Sequence, residues 1–412
     1  MRPICAHPCP PNPTCRWFRV RRSDRTDDSR MLETQWPLLL RNAQGLTEAS
    51  DPVVRARLLA DRVGLLARHG FASHAAALLP EAREAVLELD DGEAFVRLAI
   101  AESITGFATT SGIEASDLFS TAIEAAREHR LPELEAEASI WAASVRWSRG
   151  PDNAGVVEWI RFALQHAGPA CESTLPNALY RAGNCFVSVG LHDDAQRWYR
   201  HAMRAARRAE DQQLCEAIAT YPLLIELNNA RAAYVQGTLA RADAQDLEER
   251  LGAAAGQQSY AGGKRAQIQI HRAEALRLMG RYAEAIKVLD LYLPQSQVRG
   301  LGSIELLIGR SDRAVCQLRL HDKRGASQER QHIRHALAAG RMSLYSRAAL
   351  LTNLVEMEQL LGHPEAAGEL SIGAADMWSR RERQLDALRG ELEATDLRSL
   401  LPIEPLAQRT RW

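Results

Sequence analysis

The chain has 412 residues, of which 46% are hydrophobic and 25% are charged, a composition typical of soluble globular proteins. Its 51 basic and 52 acidic residues nearly cancel, so the overall charge favours neither nucleic acid nor an anionic membrane as a partner. No run of 18 apolar residues occurs, and we therefore expect no membrane span. The seven cysteines are few for this length, which favours a reducing compartment and predicts a cytoplasmic protein.

The first thirty residues differ from the rest of the chain, with five prolines, seven arginines and almost no helical periodicity. We predict that residues 1–30 form a disordered segment, and an alternative is that translation starts at Met31. Cys5, His7, Cys9 and Cys15 are metal-ligating residue types, but their spacing lacks the paired C-x-x-C knuckle of structural zinc sites. A zinc site in this segment stays a minor alternative.

From about residue 50 onward, apolar residues recur at the three- and four-residue spacing of amphipathic helices. Short turns, most of them at glycine, interrupt the helices at intervals mostly close to forty residues, with one longer interval after the fifth turn. A self-similar period of twenty to fifty residues indicates a solenoid of stacked helical pairs. The turns are predicted at or near Gly70, Gly112, Gly150, Gly190, Asn229, Gly280, Asp322 and Gly362.

The repeat at residues 177–206 shows the packing pattern most completely. Gly183 lies where the first helix must approach its neighbour closely. Gly190 supplies the turn, and Ala195 allows the second helix to cross the first at a short distance. This arrangement resembles a tetratricopeptide repeat (TPR), in which small and apolar residues recur at fixed steps around a helix-turn-helix. The resemblance covers roughly residues 50–380 and implies an all-α fold, an α-solenoid of antiparallel helical pairs.

The forty-residue step exceeds the thirty-four residues of the common TPR unit. Longer steps of this kind resemble the repeat arrays of bacterial signalling proteins, such as the sensory halves of GGDEF diguanylate cyclases and of maltose-regulator-type activators. Since no GGDEF motif follows the repeats, the resemblance implies a stand-alone sensory or regulatory half that lacks its own output domain.

The glycine-rich stretch LGAAAGQQSYAGGK suggests a division of the repeats into two sub-arrays. We predict N-terminal repeats over residues 31–252, a seam at 253–263 and C-terminal repeats over 264–380. Residues 381–412 are predicted to form a charged capping helix and tail. Three leucines share one face of this helix, which would cap the last repeat or pair with a partner helix: Leu385, Leu388 and Leu392.

The sequence contains no complete catalytic motif. It has no phosphate-binding G-x-x-x-x-G-K-[ST] loop, no H-E-x-x-H zinc motif and no G-x-S-x-G nucleophile elbow. Glu329, His332 and His335 share a helix face with E-x-x-H spacing, but a di-iron site needs a second copy, which the sequence lacks. We therefore predict a protein that is not an enzyme, with no catalytic residues, no metal site and no cofactor.

Function is then expected on a surface, and stacked helical pairs offer an extended concave face. Tyr180 would act as an aromatic anchor, and the Asn184 amide would hydrogen-bond to the backbone of a bound peptide or helix. We predict an interaction scaffold for a protein or peptide partner, and a homodimer stays open. The predicted groove residues, at inward positions of the first helix of each pair, are Asn177, Tyr180, Asn184, Gln267, Glu274, Arg277, Glu356 and Gln359.

Overall fold

The computed structural model describes residues 36–109, 115–149, 155–168, 171–257, 262–298, 303–339 and 342–401. Within these ranges the chain forms seventeen α-helices and one short 3-10 helix at Leu397–Leu400, and they contain no strand. The predicted all-α class is confirmed. The helices are α1 Pro37–Glu48, α2 Pro52–Arg68, α3 Ala72–Leu87, α4 Gly92–Thr109, α5 Ala115–Glu128, α6 Pro132–Arg149, α7 Val156–His166, α8 Thr174–Ser188, α9 His192–Arg208, α10 Gln212–Val235, α11 Arg241–Gln257, α12 Gly262–Leu278, α13 Tyr282–Val298, α14 Ser303–Arg319, α15 Ala326–Ala339, α16 Leu344–Leu361 and α17 Pro364–Thr395.

After α1, the helices form eight pairs, from α2 with α3 to α16 with α17. The first helix of each pair packs against the first helix of the next pair, and the second helix also packs against that helix. Each repeat therefore contacts mainly its sequence neighbours, which is the contact pattern of a solenoid. The first helices, which carry the even numbers, follow one another along the inner side of the array, which we call the concave face.

Most turns between paired helices form where the sequence predicts them. Gly190 shows the physical reason, because its φ of +79° lies in the left-handed region that is costly for residues with a Cβ. The amides of Gly190 and Leu191 donate to the carbonyls of Val187 and Phe186 and so close the end of α8. Turns also form at the predicted positions Gly70, Gly280, Gly362 and near Asp322.

One predicted turn is wrong. The α10 helix does not end near Asn229 but continues to Val235, and the turn forms at Gly237, where φ is +71°. Arg231, in the last turns of α10, is fully buried against later helices, and this burial stabilises the continuous helix. Two further predicted turns lie outside the described residues, those near Gly112 and at Gly150.

Close helix packing explains the small residues of the repeat that best matches the TPR pattern. A Cβ at Gly183 would lie 2.6 Å from Cε1 of Tyr199, closer than a real Cβ approaches another heavy atom. Ala195, on the facing helix, is fully buried. Because protein interiors are close-packed, larger side chains at these positions would push α8 and α9 apart.

Two of the predicted domain boundaries overlap helices in the described part of the chain. The predicted seam at 253–263 covers the last turn of α11 and the first residues of α12, and residues 258–261 lie outside the described part of the chain. The predicted boundary between 380 and 381 lies inside α17, which is continuous over 32 residues. At 1.5 Å per residue, this helix is about 48 Å long.

The second half of α17 packs against helices α7 and α8 in the middle of the array. Leu388 and Leu392 are 2% and 5% exposed and lie in the same apolar core as Ile160 of α7 and Phe186 of α8. The 3-10 helix that follows also packs against α7. The leucine face predicted for the C-terminal helix therefore joins the last repeat to the middle repeats of the same chain.

Candidate functional site

Two of the predicted groove residues, Tyr180 and Asn184, are buried between helices. Only 3% of Tyr180 is exposed, and its ring centroid lies 6.3 Å from that of Tyr199 and 6.1 Å from that of Tyr221. Burial raises the pKa of Tyr180 above its ordinary value. The Tyr199 hydroxyl donates a 2.8 Å hydrogen bond to Oδ1 of Asn184. These side chains hold α8 against α9 and α10, and their contact with a partner stays a prediction.

Three other predicted groove residues keep part of their surface accessible. Asn177 is half-buried, and its Nδ2 donates to the Ser173 carbonyl at 2.9 Å. Gln267 is also half-buried, and Gln359 is exposed. These three side chains lie on α8, α12 and α16, so a partner contacting all of them would have to extend along the array.

The remaining three predicted residues, Glu274, Arg277 and Glu356, meet in a buried charge cluster with Arg231 and Asp312. Arg231 lies 2.6 Å from Glu274 through Nε and 2.6 Å from Asp312 through Nη2. Arg277 lies 2.6 Å from Glu356 and 3.3 Å from Asp312. The cluster draws its side chains from α10, α12, α14 and α16, and α10 and α16 touch each other across the array.

The carboxylates of the buried charge cluster are paired within the chain, but Nε and Nη1 of Arg231 and Nε of Arg277 are buried without a hydrogen-bond partner in the described part of the chain. Although burial opposes ionisation, Arg231 holds the pKa of Glu274 below its ordinary value. Two neighbouring arginines do the same for the pKa of Glu356, again against the effect of burial. The Asn353 amide donates a 2.8 Å hydrogen bond to Asp312. A ligand at this position would have to replace buried ion pairs, which are expensive to break.

Sequence reasoning misses Arg231 and Asp312. The turn predicted near Asn229 places Arg231 at the start of a second helix, although it lies near the end of a first helix. Asp312 lies on α14, for which the sequence supplies no turn glycine as clear as Gly190 to set the register. Both residues could be found by searching for a charged residue at an inward-facing position of one first helix that has an oppositely charged residue at an inward-facing position of the first helix of the next pair.

A cavity of about 350 Å³ opens in the concave face of the N-terminal half. The helices α1, α2, α4 and α6 form its walls, and Cys171, Glu172 and Ser173, just before α8, with Ala209, just after α9, close one side. None of the predicted groove residues lines it. Its apolar lining includes Leu58, Leu65, Ile100, Ile104 and Trp141. Its polar lining includes Asn42, Asp61, Arg68, Arg97, Glu137 and Cys171.

Asp61 is the carboxylate that faces this cavity from α2. One nitrogen of Arg97, Nη1, lies 2.9 Å from each of its two oxygens, and Nε of Arg97 donates to Glu93 at 2.9 Å. About a third of the Asp61 side chain (34%) remains exposed. Burial raises the pKa of Asp61 to about 6; repulsion from Glu137 adds to this rise, and Arg97 opposes it.

Two other polar groups of the cavity, Arg68 and Cys171, also have perturbed pKa values. Arg68 forms an ion pair with Asp211, and burial lowers the pKa of Arg68 to about 10. Burial, with the nearby Glu137 carboxylate, raises the pKa of the Cys171 thiol well above its ordinary value. A thiol in this state is protonated and a poor nucleophile.

No group of three or more metal-ligating side chains occurs in the described part of the chain. The predicted E-x-x-H face instead contacts Arg310, whose Nη2 lies 2.5 Å from Glu329 and 2.8 Å from Nδ1 of His332. Cys5, Cys9 and Cys15 lie outside the described residues. Among the described helices, none combines the length and the apolar character that crossing a membrane requires.

No protein-family model matches the sequence, and a search of curated proteins finds no match. The crystal structure of Rap protein complexed with competence and sporulation factor matches 80% of this chain and 99% of that chain, with a TM-score of 0.53 and 14% sequence identity. The crystal structure of Ton1535 from Thermococcus onnurineus NA1 covers 87% of this chain and 98% of that chain at 16% identity, but with a TM-score of only 0.25. The likeness to Rap and the eight stacked pairs show that the chain adopts a TPR-like helical repeat fold.

Proposed function

We propose that the protein is a non-enzymatic interaction module that holds a peptide or helix of another protein against its concave face. The observation that carries the proposal is the cavity between α1, α2, α4 and α6. Ligand sites are concave and mostly apolar, with a few polar groups that fix orientation, and this cavity has that composition. Stacked helical pairs use their concave surfaces for binding in the same way.

The proposal places the site in the N-terminal cavity because the inward-facing charged side chains of the C-terminal half are already paired with one another. Glu274, Arg277 and Glu356 are already bonded to other residues of the buried charge cluster. Breaking one such buried pair typically costs roughly 3–5 kcal/mol, which a partner would have to offset. The N-terminal cavity is open without any such rearrangement.

A regulatory version of this function has support from the likeness to Rap. Rap protein has a similar fold and forms a complex with competence and sporulation factor. By analogy, this chain would act as the sensory half of a bacterial, cytoplasmic signalling system, with a bound ligand changing its action on a separate output protein. Both versions require a ligand in the concave face, so the first experiment is common to them.

The test is selection of peptides from a random display library on the purified full-length protein, followed by affinity measurement on variants. Gly64 lines the cavity, and a Cβ there would meet only ordinary contacts, the nearest being 3.6 Å from Cβ of Ala101. Gly64→Leu therefore adds side-chain volume at the cavity wall, beside Ala101 and Ile104. Gly368→Leu makes the same change at an exposed helix position with open space around it and serves as the matched control.

We expect selected peptides to lose at least about ten-fold in affinity on Gly64→Leu and to keep it on Gly368→Leu. Far-UV circular dichroism checks that both variants are folded. Peptides that bind both variants equally would move the site out of the cavity, and loss of binding in Gln267→Ala or Gln359→Ala would place it along the predicted groove. A library that yields no binding peptide would contradict the proposed function.

A further inference from the structure

The cavity carries a charge pattern that selects among ligands. We infer that it recognises a primary ammonium group on an apolar chain, as on a lysine side chain or at the N-terminal residue of a peptide. This inference rests on the proposed function, because it names the chemistry that the same cavity would bind.

The first reason is an excess of carboxylates around the cavity. Its three arginines are matched by five carboxylates of the chain itself: Arg41 with Glu172 and Glu210, Arg68 with Asp211, and Arg97 with Asp61 and Glu93. Glu137 adds a sixth carboxylate, and of the six only Asp61, Glu137 and Glu172 line the wall, where they balance the three arginines. Arg57, outside the wall, contacts Glu93 but brings its own partner, Asp91, so the excess persists. The arginines of the wall are therefore already neutralised by carboxylates of the chain and attract an anion only weakly, which leaves the cavity more favourable to a cation than to an anion.

The second reason is a buried acceptor that has no donor. Asn42 lines the cavity, is 7% exposed, and donates from Nδ2 to the Leu58 carbonyl at 2.9 Å. That bond fixes the orientation of the amide and leaves Oδ1 buried without a hydrogen-bond partner among the described residues. An unsatisfied buried acceptor is unfavourable, and an ammonium group, with three donors and no acceptor, can satisfy it. An ionised carboxylate has no donor to offer.

The third reason is the shape of the remaining surface. Ile100 and Ile104 lie one helical turn apart on α4 and, with Leu65 and Trp141, provide an apolar wall beside the acidic groups. At about 30 Å³ for each water molecule in the liquid, the cavity has room for roughly a dozen waters. This space suits one extended side chain or one terminal residue, with the apolar chain on the isoleucines and the head group near Asp61.

The geometry at Asp61 favours an ammonium over a guanidinium. A guanidinium binds best when a carboxylate offers both oxygens to its planar fork. Both oxygens of Asp61 already accept from Nη1 of Arg97, at 2.9 Å each. An ammonium acts as a compact charge and needs only one of the lone pairs that remain on Asp61, together with Glu137.

Binding should also follow the ionisation of Asp61. Burial, with repulsion from Glu137 of α6 and Glu93 of α4, raises the pKa of Asp61 to about 6, against the attraction of Arg97. Protonation removes the negative charge at Asp61, so affinity for an ammonium ligand should fall as the pH is lowered through about 6.

The test uses three small probes that share a five-carbon chain and differ in the head group: pentylammonium, 1-pentanol and pentanoate. Ligand-observed saturation-transfer NMR on the full-length protein at about pH 7.5 measures the Kd of each probe. We expect pentylammonium to bind at least about ten-fold more tightly than 1-pentanol, the gain of a charge-assisted hydrogen bond, and pentanoate to bind most weakly.

Two substitutions locate the effect. Asp61→Asn and Glu137→Gln should each weaken pentylammonium binding several-fold and leave 1-pentanol binding unchanged, and Glu137→Gln keeps the test valid if Asp61→Asn fails to fold. Glu81→Gln removes an exposed carboxylate from α3, outside the cavity, and should change neither. Two capped amino acids separate the sources of the ammonium: tighter binding of N-acetyl-lysine methylamide indicates a lysine side chain, and tighter binding of leucine methylamide indicates an N-terminal residue.

Equal affinities for pentylammonium and 1-pentanol, or a preference for pentanoate, would overturn the inference but leave the proposed function in place, because the cavity would still hold a ligand. The same conclusion holds if no probe binds while display-selected peptides do. Absence of both probe binding and selected peptides would overturn the inference and the proposed function together.

Discussion

Replacing Arg231 by leucine should destabilise the C-terminal half of the array strongly. Arg231 is 1% exposed, and its guanidinium contacts Glu274 and Asp312 at 2.6 Å each. Leucine removes the positive charge, while both carboxylates stay buried between α10, α12 and α14. The expected loss is therefore dominated by uncompensated negative charge rather than by lost packing.

The expected loss in the free energy of unfolding follows from the contacts that Asp312 and Glu274 keep in the Arg231→Leu variant. Asp312 keeps Arg277 at 3.3 Å, and Glu274 keeps a 3.3 Å hydrogen bond from Tyr345 and its neighbour His271 at 3.7 Å. Removing one partner of a buried ion pair typically costs roughly 3–5 kcal/mol. Because both carboxylates retain some stabilisation, we expect about 3 kcal/mol, at the lower end of that range.

The destabilisation should depend on pH with a defined sign. In the wild type the pKa of Glu274 is held below its ordinary value of 4.5, so its ionisation stabilises the fold above that pH, and this stability is lost as the pH falls through the lowered pKa. Without Arg231 the same carboxyl is buried with little compensation, and its folded-state pKa should rise. The difference in free energy of unfolding between wild type and Arg231→Leu should therefore be larger at about pH 8 than near pH 4.5.

Urea unfolding followed by far-UV circular dichroism measures the loss, and hydrogen exchange in α10, α12 and α14 localises it, because repeat arrays need not unfold in one step. The control is Arg313→Leu on α14, which breaks a pair with Asp290 in which 38% and 49% of the two side chains are exposed. We expect less than about 1 kcal/mol for this surface pair. Equal losses for the two variants, or a loss for Arg231→Leu that does not grow with pH, would refute the reasoning.

Two further predictions concern packing and turns. Leu388→Ala should cost about 2–5 kcal/mol and raise hydrogen exchange in α7 and α8, whereas Ile372→Ala, 75% exposed on the same helix, should change stability by less than about 0.5 kcal/mol. Equal effects would show that α17 does not depend on its contact with the middle repeats. Gly190→Ala should lower stability by about 1–2 kcal/mol because φ is +79°, and Gly368→Ala, in an exposed helical position, should raise it by up to about 1 kcal/mol. Thermal unfolding would contradict this if both substitutions changed stability in the same direction.

Periodicity and turn chemistry are enough to predict the helical pairs, because both act over a few residues. Gly190 and Gly280 adopt positive φ angles for reasons contained in the turns themselves. Asn229 marks the limit of such reasoning. Its local sequence favours a turn, but burial of Leu227 and Arg231 against later helices keeps α10 continuous to Val235.

The candidate site is harder to predict because it depends on segments far apart in the chain. Helical register places Glu274, Arg277 and Glu356 on first helices, as the structure does. Their burial follows from the approach of α10 to α16, which brings together Arg231 and Asp312, 81 positions apart. No local sequence pattern around either residue indicates that the two side chains meet in the folded chain.

The sequence by itself determined the all-α class, the stacked pairs and most of their turns, since hydrophobic spacing and glycine φ angles are properties of short segments. Only the tertiary structure decided that α17 folds back onto α7 and α8, that ion pairs occupy the C-terminal concave face, and that a cavity stays open in the N-terminal half. The physical reason is that small rotations between successive repeats add up to the curvature of the whole array. That sum decides which inward side chains meet and which face open space.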